Sequence, residues 1–154
     1  MSAKFPRWQA AGRVRLLLAV LALVPIVAAC GSQTESLTGT ARDAVLAYSE
    51  AKTTNLLSGM DAADYATFSR DLSDKMKQAI PADGLAKLRT QVTDKIGKYR
   101  SRQLDSVVRQ GEFITVIYLA RFETDDKVTV RVTFDALEPH LIGGLWFDSE
   151  TLRK

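Results

Sequence analysis

Side chains that could support catalysis or metal binding are scarce in this sequence. It contains one cysteine, Cys30, and one histidine, His140, so cysteine and histidine ligands cannot assemble a tetrahedral zinc site within one chain. There is no Gly-x-Ser-x-Gly motif, and His140 lies at a predicted turn, where an exposed histidine is expected. Glu123, Asp125 and Asp126 lack EF-hand spacing and indicate a solvated hairpin turn. We predict no catalytic residue, no metal site and no cofactor.

The first 29 residues have the layout of a secretory signal. Basic residues precede an uncharged, mainly apolar run over residues 16–29, and none of the first 29 residues is acidic. That run is shorter than the roughly 20 apolar residues that a membrane-spanning helix needs. The sequence therefore predicts a signal peptide over residues 1–29, whose basic residues are Lys4, Arg7, Arg13 and Arg15.

The signal ends in Val27-Ala28-Ala29-Cys30, with two small residues directly before the only cysteine. This run resembles the lipobox of bacterial lipoproteins. The resemblance implies cleavage between Ala29 and Cys30 and transfer of a diacylglyceryl group, with palmitate-type chains, to the Cys30 thiol. Because stable anchoring takes two acyl chains, it also implies an extracytoplasmic protein that is held at the bacterial cell envelope by its lipidated cysteine.

The charge of the chain changes when the signal is removed. The whole sequence carries 21 basic and 18 acidic side chains, a formal charge of +3. Without the four basic residues before Cys30, 17 basic side chains remain against 18 acidic ones, a net charge of about −1. The basic excess belongs to the signal, and no basic stripe with interleaved aromatic residues follows it. We therefore predict no nucleic-acid partner.

Helical patterns dominate residues 40–97. Thr40 and Asp43 form a capping-box pattern, from which a first helix is predicted to run to about Leu57 and to end at Gly59.

Two short helices and one longer helix are predicted to follow. Asp61 and Ser73 are placed to cap the short ones, the first of which carries Tyr65 and Phe68. The longer helix is predicted to end at Gly97, and it has an apolar stripe of Leu85, Leu88, Val92 and Ile96.

After Gly97 the hydrophobic period changes to that of strands. Residues 128–136 alternate apolar and polar side chains, which indicates a strand buried on one face. Residues 113–122 are apolar on both faces and indicate a more central strand. Residues 99–109 and 141–147 complete four strands, the last with Gly143-Gly144 as a candidate for a bulge or for close packing of a helix. We predict an α+β fold in which N-terminal helices pack on one face of a four-stranded antiparallel meander sheet.

The domain organisation follows from these patterns. Residues 30–39 are small and polar and are interpreted as a short lipidated tether. Residues 40–154 are interpreted as a single α+β domain, a length that can bury one core.

Three runs of the predicted domain carry a further resemblance: Asp64-Tyr-Ala-Thr-Phe-Ser-Arg-Asp-Leu-Ser-Asp-Lys-Met-Lys77, Lys95-Ile-Gly-Lys-Tyr99 and Gly144-Leu-Trp-Phe147. Over residues 41–150 the chain resembles small secreted bacterial lipoproteins whose single domain has no assigned function. The resemblance implies a cystatin-like or nuclear-transport-factor-like (SnoaL-like) cone, in which a curved sheet wraps a long helix around a cavity. It leaves the function open.

Aromatic side chains are the candidates for lining such a cavity. Several are expected to converge between helices and sheet, where they either fill the core or line a pocket for a small apolar ligand. The candidate pocket residues are Tyr65, Phe68, Tyr118, Phe134 and Trp146.

Three functions remain open from the sequence. The first is a non-enzymatic module at the cell envelope that binds a protein or a small ligand. The alternative is a cyclase or isomerase that uses the cone cavity, with Asp135 or Asp148 as a base whose carboxyl pKa an apolar floor would raise. A third is an assembly module that dimerises through its exposed sheet face. The sequence does not set the oligomeric state.

Overall fold

The computed structural model describes residues 33–154, which belong to one compact unit. The predicted signal peptide, the cleavage site between Ala29 and Cys30 and the lipid attachment at Cys30 lie outside the described residues. The described part contains five strands and four helices, in the order β1 Thr34–Ser36, α1 Gly39–Ala62, α2 Tyr65–Ser69, α3 Asp74–Ala79, α4 Ala82–Ile96, β2 Tyr99–Gln110, β3 Phe113–Phe122, β4 Val128–Asp135 and β5 Ile142–Asp148.

Helix α1 is longer than the sequence predicts. It begins at Gly39 and continues through Gly59 to Ala62, so the prediction that Gly59 ends it is wrong. The helix ends where Ala63 adopts a left-handed conformation and the Asp64 N–H donates to the Gly59 carbonyl at 2.9 Å. Gly59 has a packing role instead, because a β-carbon there would lie 2.4 Å from the Phe68 backbone nitrogen.

The short helices are capped by side chains. Asp64, rather than the predicted Asp61, caps α2 by accepting from the Ala66 and Thr67 N–H groups at 3.0 and 3.3 Å. A further hydrogen bond from the Thr67 hydroxyl contributes most to lowering the pKa of Asp64. The predicted cap of α3 at Ser73 is confirmed, since its hydroxyl accepts from the Met76 N–H.

The sheet has five strands, and every pair of neighbours is antiparallel, in the order β1-β2-β3-β4-β5. The prediction of four strands is corrected by β1, which lies within the segment interpreted as a tether. Thr34 pairs with Gln110 and Ser36 with Val108, and the Leu37 N–H donates to the Val107 carbonyl. The three residues of β1 are polar and exposed. Their strand conformation comes from pairing with β2, and the sequence shows no alternation of apolar and polar residues there.

One face of the sheet is buried under the helices. Along β3 and β4 the side chains alternate between buried and more exposed, as the period of residues 128–136 predicts. Helix α4 contributes the predicted stripe, in which Leu88 is partly buried and Leu85, Val92 and Ile96 are buried. The coarse prediction of an α+β fold, with helices preceding an antiparallel meander sheet, is confirmed.

Candidate functional site

The five aromatic residues predicted to line a pocket do not converge. Phe68, Tyr118 and Phe134 are at most 1% exposed and belong to the core. Tyr65 is half-buried and packs beside Phe68, with ring centroids 6.3 Å apart. Trp146 is 54% exposed and pairs with Arg131 on the outer face of the sheet, opposite the core.

A register shift explains the position of Trp146. In β5, Ile142 pairs with Phe134 and Gly144 with Thr133, so one extra residue lies at Gly143. The shift reverses the alternation, because Ile142 faces the core whereas Trp146 faces outward. The Trp146 ring lies over Gly144, where a β-carbon would come within 2.2 Å of the indole. The candidate bulge at Gly143-Gly144 is thereby confirmed.

The carboxylates considered as catalytic bases also lie on the outer face. Asp135 pairs with Phe113, and Asp148 pairs with Thr129. Asp148 forms an ion pair with Arg153, with Oδ1 and Nε 3.4 Å apart.

His140 is half-buried rather than exposed. Its ring stacks on Tyr48 of α1 with centroids 3.9 Å apart, and its Nδ1 lies 3.1 Å from the Asp135 carbonyl oxygen. Lys52 of the same helix donates to the carbonyl groups of Pro139 and His140. Helix α1 therefore holds the β4–β5 turn in place, a contact between distant segments that the local sequence does not reveal.

An apolar groove of about 450 Å³ lies between α4 and β5. The amphipathic stripe of α4 forms one wall, and Leu145 and Phe147, on the core side of β5, form the other. The carbonyl of Leu152 closes one part of the rim by accepting from Lys95 Nζ at 2.9 Å. The residues lining this α4–β5 groove are Leu88, Gln91, Val92, Lys95, Leu145, Trp146, Phe147 and Leu152.

The groove lies beside an edge of the sheet. Strand β5 is last in the strand order, and only its first residue is paired on the edge side. There Ile142 exchanges hydrogen bonds with Asp71 and Ser73, at 2.8 and 2.9 Å, in a parallel arrangement with Leu72. Within residues 33–154 no strand pairs with that edge beyond Ile142. An open edge next to an apolar groove is the arrangement by which proteins bind extended peptides.

A polar network lies between α1 and the sheet. Glu50 accepts from the Tyr118 hydroxyl at 2.9 Å through Oε1 and from Arg102 at 2.8 Å through Oε2. Arg102 also donates to the Glu50 carbonyl and to the Thr54 hydroxyl, and its guanidinium lies 5.0 Å from the centre of the Tyr118 ring. The burial of Arg102 depends on Glu50, which is 52 residues away in the sequence, so no local pattern predicts it.

The network engages both oxygens of the Glu50 carboxylate and connects α1 to strands β2 and β3. Burial raises the pKa of Tyr118 to about 12, against an ordinary value of 10.0. Burial also raises the pKa of Tyr48, partly offset by the charge of Arg109.

Stability is therefore expected to fall above pH 10. The pKa of each phenol is higher in the folded state than in the unfolded state. Its contribution to the free energy of unfolding is therefore complete below the unfolded pKa, near 10, and is lost as the pH rises towards the folded pKa, which is about 12 for Tyr118. For Tyr118 the loss amounts to at most about 3 kcal/mol, of which about 2 kcal/mol is lost by pH 11.5. Urea unfolding between pH 8 and 11.5 measures it. The variant Tyr118→Phe should show a shallower decline, with Tyr48 supplying the remainder, and an unchanged slope would contradict this assignment.

The buried side of α1 also carries hydroxyl groups without partners. The Tyr48 and Ser49 hydroxyls are buried and form no hydrogen bond with any residue that the structure describes. Each unpaired hydroxyl lowers stability because it has lost its water.

Replacing Ser49 with alanine is expected to raise the free energy of unfolding by about 1 kcal/mol, because the orphan hydroxyl is removed. Ser58→Ala is the matched control: Ser58 lies in the same helix, is exposed, and donates to the Thr54 carbonyl at 2.7 Å. It reports the gain in helix propensity together with the loss of that exposed hydrogen bond. Urea unfolding should show a larger gain for Ser49→Ala, and equal gains would mean that the Ser49 hydroxyl is not penalised.

The outer face of the sheet carries exposed apolar side chains. Phe113 and Leu119 of β3 are about half exposed, as is Trp146. A shallow depression of about 360 Å³ lies between Phe113, Arg131 and Trp146, with Gln110 and the hydrogen-bonded pair Thr115 and Thr133. This is the face through which the dimer alternative would assemble.

Two further observations concern metals and membranes. Within residues 33–154 there is no group of three or more His, Cys, Asp or Glu side chains that could hold a metal ion. Asp125 instead accepts from the Lys127 N–H, and Glu123 from the Lys98 N–H, in a hairpin turn. None of the described helices combines the length and the apolar character needed to cross a membrane.

These features define a small α+β domain with a helical layer on one face of an antiparallel sheet. The chain belongs to the family described as a protein of unknown function, DUF3887, whose family model matches residues 53–138. The match extends from the middle of α1 to the β4–β5 turn, so it includes the α4 wall of the groove and ends before the β5 wall. No curated protein and no solved structure matches the chain.

Proposed function

We propose that this chain is a lipid-anchored extracytoplasmic module that binds an extended, apolar segment of a partner at the cell envelope. The observation that carries the binding role is the α4–β5 groove beside the open edge of β5. Backbone groups along such an edge supply hydrogen bonds, and the groove accepts alternate apolar side chains. The extracytoplasmic location at the cell envelope is inferred from the signal-like residues 1–29 and from the lipobox-like run that ends at Cys30.

The finer fold proposal is a cystatin-like or nuclear-transport-factor-like cone. It is supported by a 24-residue helix, α1, that packs against the antiparallel meander. The cyclase or isomerase alternative needs a carboxylate free to take a proton inside the core. Asp135 and Asp148 lie on the outer face, and Glu50 is engaged by Tyr118 and Arg102. The geometry therefore favours binding without catalysis.

The anchor is tested by replacing Cys30 with serine. The wild-type chain, expressed in a bacterium, should be found in the membrane fraction with an N-terminal peptide that begins at acylated Cys30. Cys30→Ser should lose the acyl mass and most of its membrane association, because two acyl chains supply the affinity. Ser32→Ala, a neighbouring change that keeps the thiol, should behave like the wild type. An intact, unmodified leader on the wild-type chain would contradict the anchor.

The groove is tested with peptides displayed on phage and selected on the mature chain purified from membranes. Selected peptides should carry alternate apolar residues and should change the emission of Trp146, the only tryptophan after Trp8. Leu88→Glu should weaken binding at least about tenfold, because a charge would enter the groove. Thr90→Glu adds the same charge on an exposed position of α4 and should leave the affinity unchanged. Equal affinities for the two variants would place binding elsewhere.

A further inference from the structure

One end of the sheet lies close to the point where the proposed anchor leaves the domain. Thr34 pairs with Gln110, Gln110 with Phe113, and Phe113 with Asp135, so these four residues form one row across the strands. The β2–β3 and β4–β5 turns lie at the same end. We call this row, together with the two turns, the Thr34 end of the sheet.

Two apolar side chains are exposed at the Thr34 end. Phe113 is 49% exposed and Leu137, in the β4–β5 turn, is 75% exposed, the largest exposed fraction among the large apolar side chains in residues 33–154. They line a shallow depression of about 200 Å³, whose other lining residues are Glu112, Asp135, Glu138 and Pro139. Two cations also lie at this end, since Arg109 and Lys52 donate to the carbonyl groups of Gly111 and Pro139 in the two turns. Glu35, Glu112, Asp135 and Glu138 outnumber them, so the end combines apolar protrusions with a net acidic rim.

The length of chain between Cys30 and the sheet limits how far this end can lie from a membrane. Four residue steps separate Cys30 from Thr34, and a fully extended chain spans at most about 14 Å over that length. The β3–β4 turn with Asp126 lies at the other end of β3, about 30 Å further along the strand direction. An anchored Cys30 thus keeps the Thr34 end near the lipid. The distance between Asp126 and the lipid is far less restricted.

We propose that the Thr34 end docks onto a lipid surface of zwitterionic headgroups, an inference that rests on the proposed lipid anchor. Phe113 and Leu137 enter the boundary between headgroups and acyl chains, where interfacial apolar residues are favoured. The acidic rim meets the outward ammonium groups of a lipid such as phosphatidylethanolamine, whereas anionic lipids repel it. Docking in this orientation turns the β3–β4 hairpin away from the bilayer.

The test uses single cysteines in the full chain, lipidated in a bacterium and reconstituted into vesicles. Because acylation blocks the Cys30 sulfur, the thiol of Leu137→Cys or Asp126→Cys is the only one available for an environment-sensitive fluorophore. Both positions are exposed, so neither change disturbs the core. At position 137 the apolar fluorophore takes the place of the leucine side chain. The vesicles contain phosphatidylcholine and phosphatidylethanolamine, with or without phosphatidylglycerol, and a nitroxide-bearing lipid quenches fluorophores near the bilayer.

The label at position 137 should be quenched roughly threefold more than the label at position 126, and its emission should shift to the blue. Phosphatidylglycerol should reduce the quenching at low salt, and added salt should restore it, because the repulsion is screened. If the protein floats with the vesicles but the two labels are quenched equally, the docking of the Thr34 end is overturned and the lipid anchor is not. Protein that does not float would overturn the lipid anchor and this inference with it.

Discussion

Gly59→Ala is expected to lower the free energy of unfolding by about 3 kcal/mol, even though alanine is the better helix former by about 1 kcal/mol. The added β-carbon would lie 2.4 Å from the Phe68 nitrogen and 2.7 Å from its α-carbon. Both are backbone atoms of α2, so no side-chain rotation relieves the clash. Helices α1 and α2 would have to separate and disturb Phe68, which is 1% exposed.

Thermal and urea unfolding measure this effect. For a domain of this size, 3 kcal/mol corresponds to a decrease in Tm of about 10 °C. Gly143→Ala is the matched control, because a β-carbon there meets nothing closer than an Asp135 oxygen at 3.8 Å. It should change stability by no more than about 0.5 kcal/mol. If Gly59→Ala were as stable as the wild type, the close contact between α1 and α2 would be wrong.

Gly59 also shows where sequence patterns stop being informative. A glycine at the end of an apolar helical pattern is typical of a helix terminus, yet here the helix continues for three more residues to Ala62. The decisive fact is the proximity of Phe68, which belongs to the next helix. By contrast, the cap at Ser73 and the end of α4 at Gly97 are set by local chemistry and were predictable.

The strands of the sheet also differ in how far the local sequence predicts them. The alternation of residues 128–136 predicts β4 because one face of the strand is buried and the other is more exposed to solvent. Strand β1 has three exposed polar residues and exists because β2 offers an unpaired edge. Its conformation depends on residues more than 70 positions later in the chain, and no local pattern encodes it.

The candidate site was predictable only in part. The stripe of α4 and the aromatic residues of β5 are visible in the sequence, but which face Trp146 occupies depends on one extra residue at Gly143. Since a shift of one residue exchanges the two faces of a strand, the prediction of a pocket placed Trp146 with residues on the opposite side of the sheet. The groove between α4 and β5 follows from packing, which periodicity alone does not specify.

Arg102→Met is expected to lower the free energy of unfolding by about 2 to 3 kcal/mol. Arg102 keeps 11% of its side-chain surface exposed and pairs with Glu50, which keeps 46%. Removing one partner of a fully buried ion pair costs about 3 to 5 kcal/mol, and the partial access of water to Glu50 reduces that figure. Methionine preserves much of the apolar stem of arginine, so the loss reports the guanidinium and its contacts with Glu50, Thr54 and Tyr118.

Arg100→Met in the same strand is the matched control for this substitution. Arg100 is 62% exposed and pairs with Glu123 at the surface, where an ion pair contributes at most about 1 kcal/mol. The free energies of unfolding of the two variants, measured in urea at neutral pH, should therefore differ by more than 1 kcal/mol. Adding Glu50→Gln to Arg102→Met should recover part of the loss, because the carboxylate is no longer left beside Tyr118 without its cation. Equal losses for Arg100→Met and Arg102→Met would mean that the network between α1 and the sheet contributes no more than a surface pair.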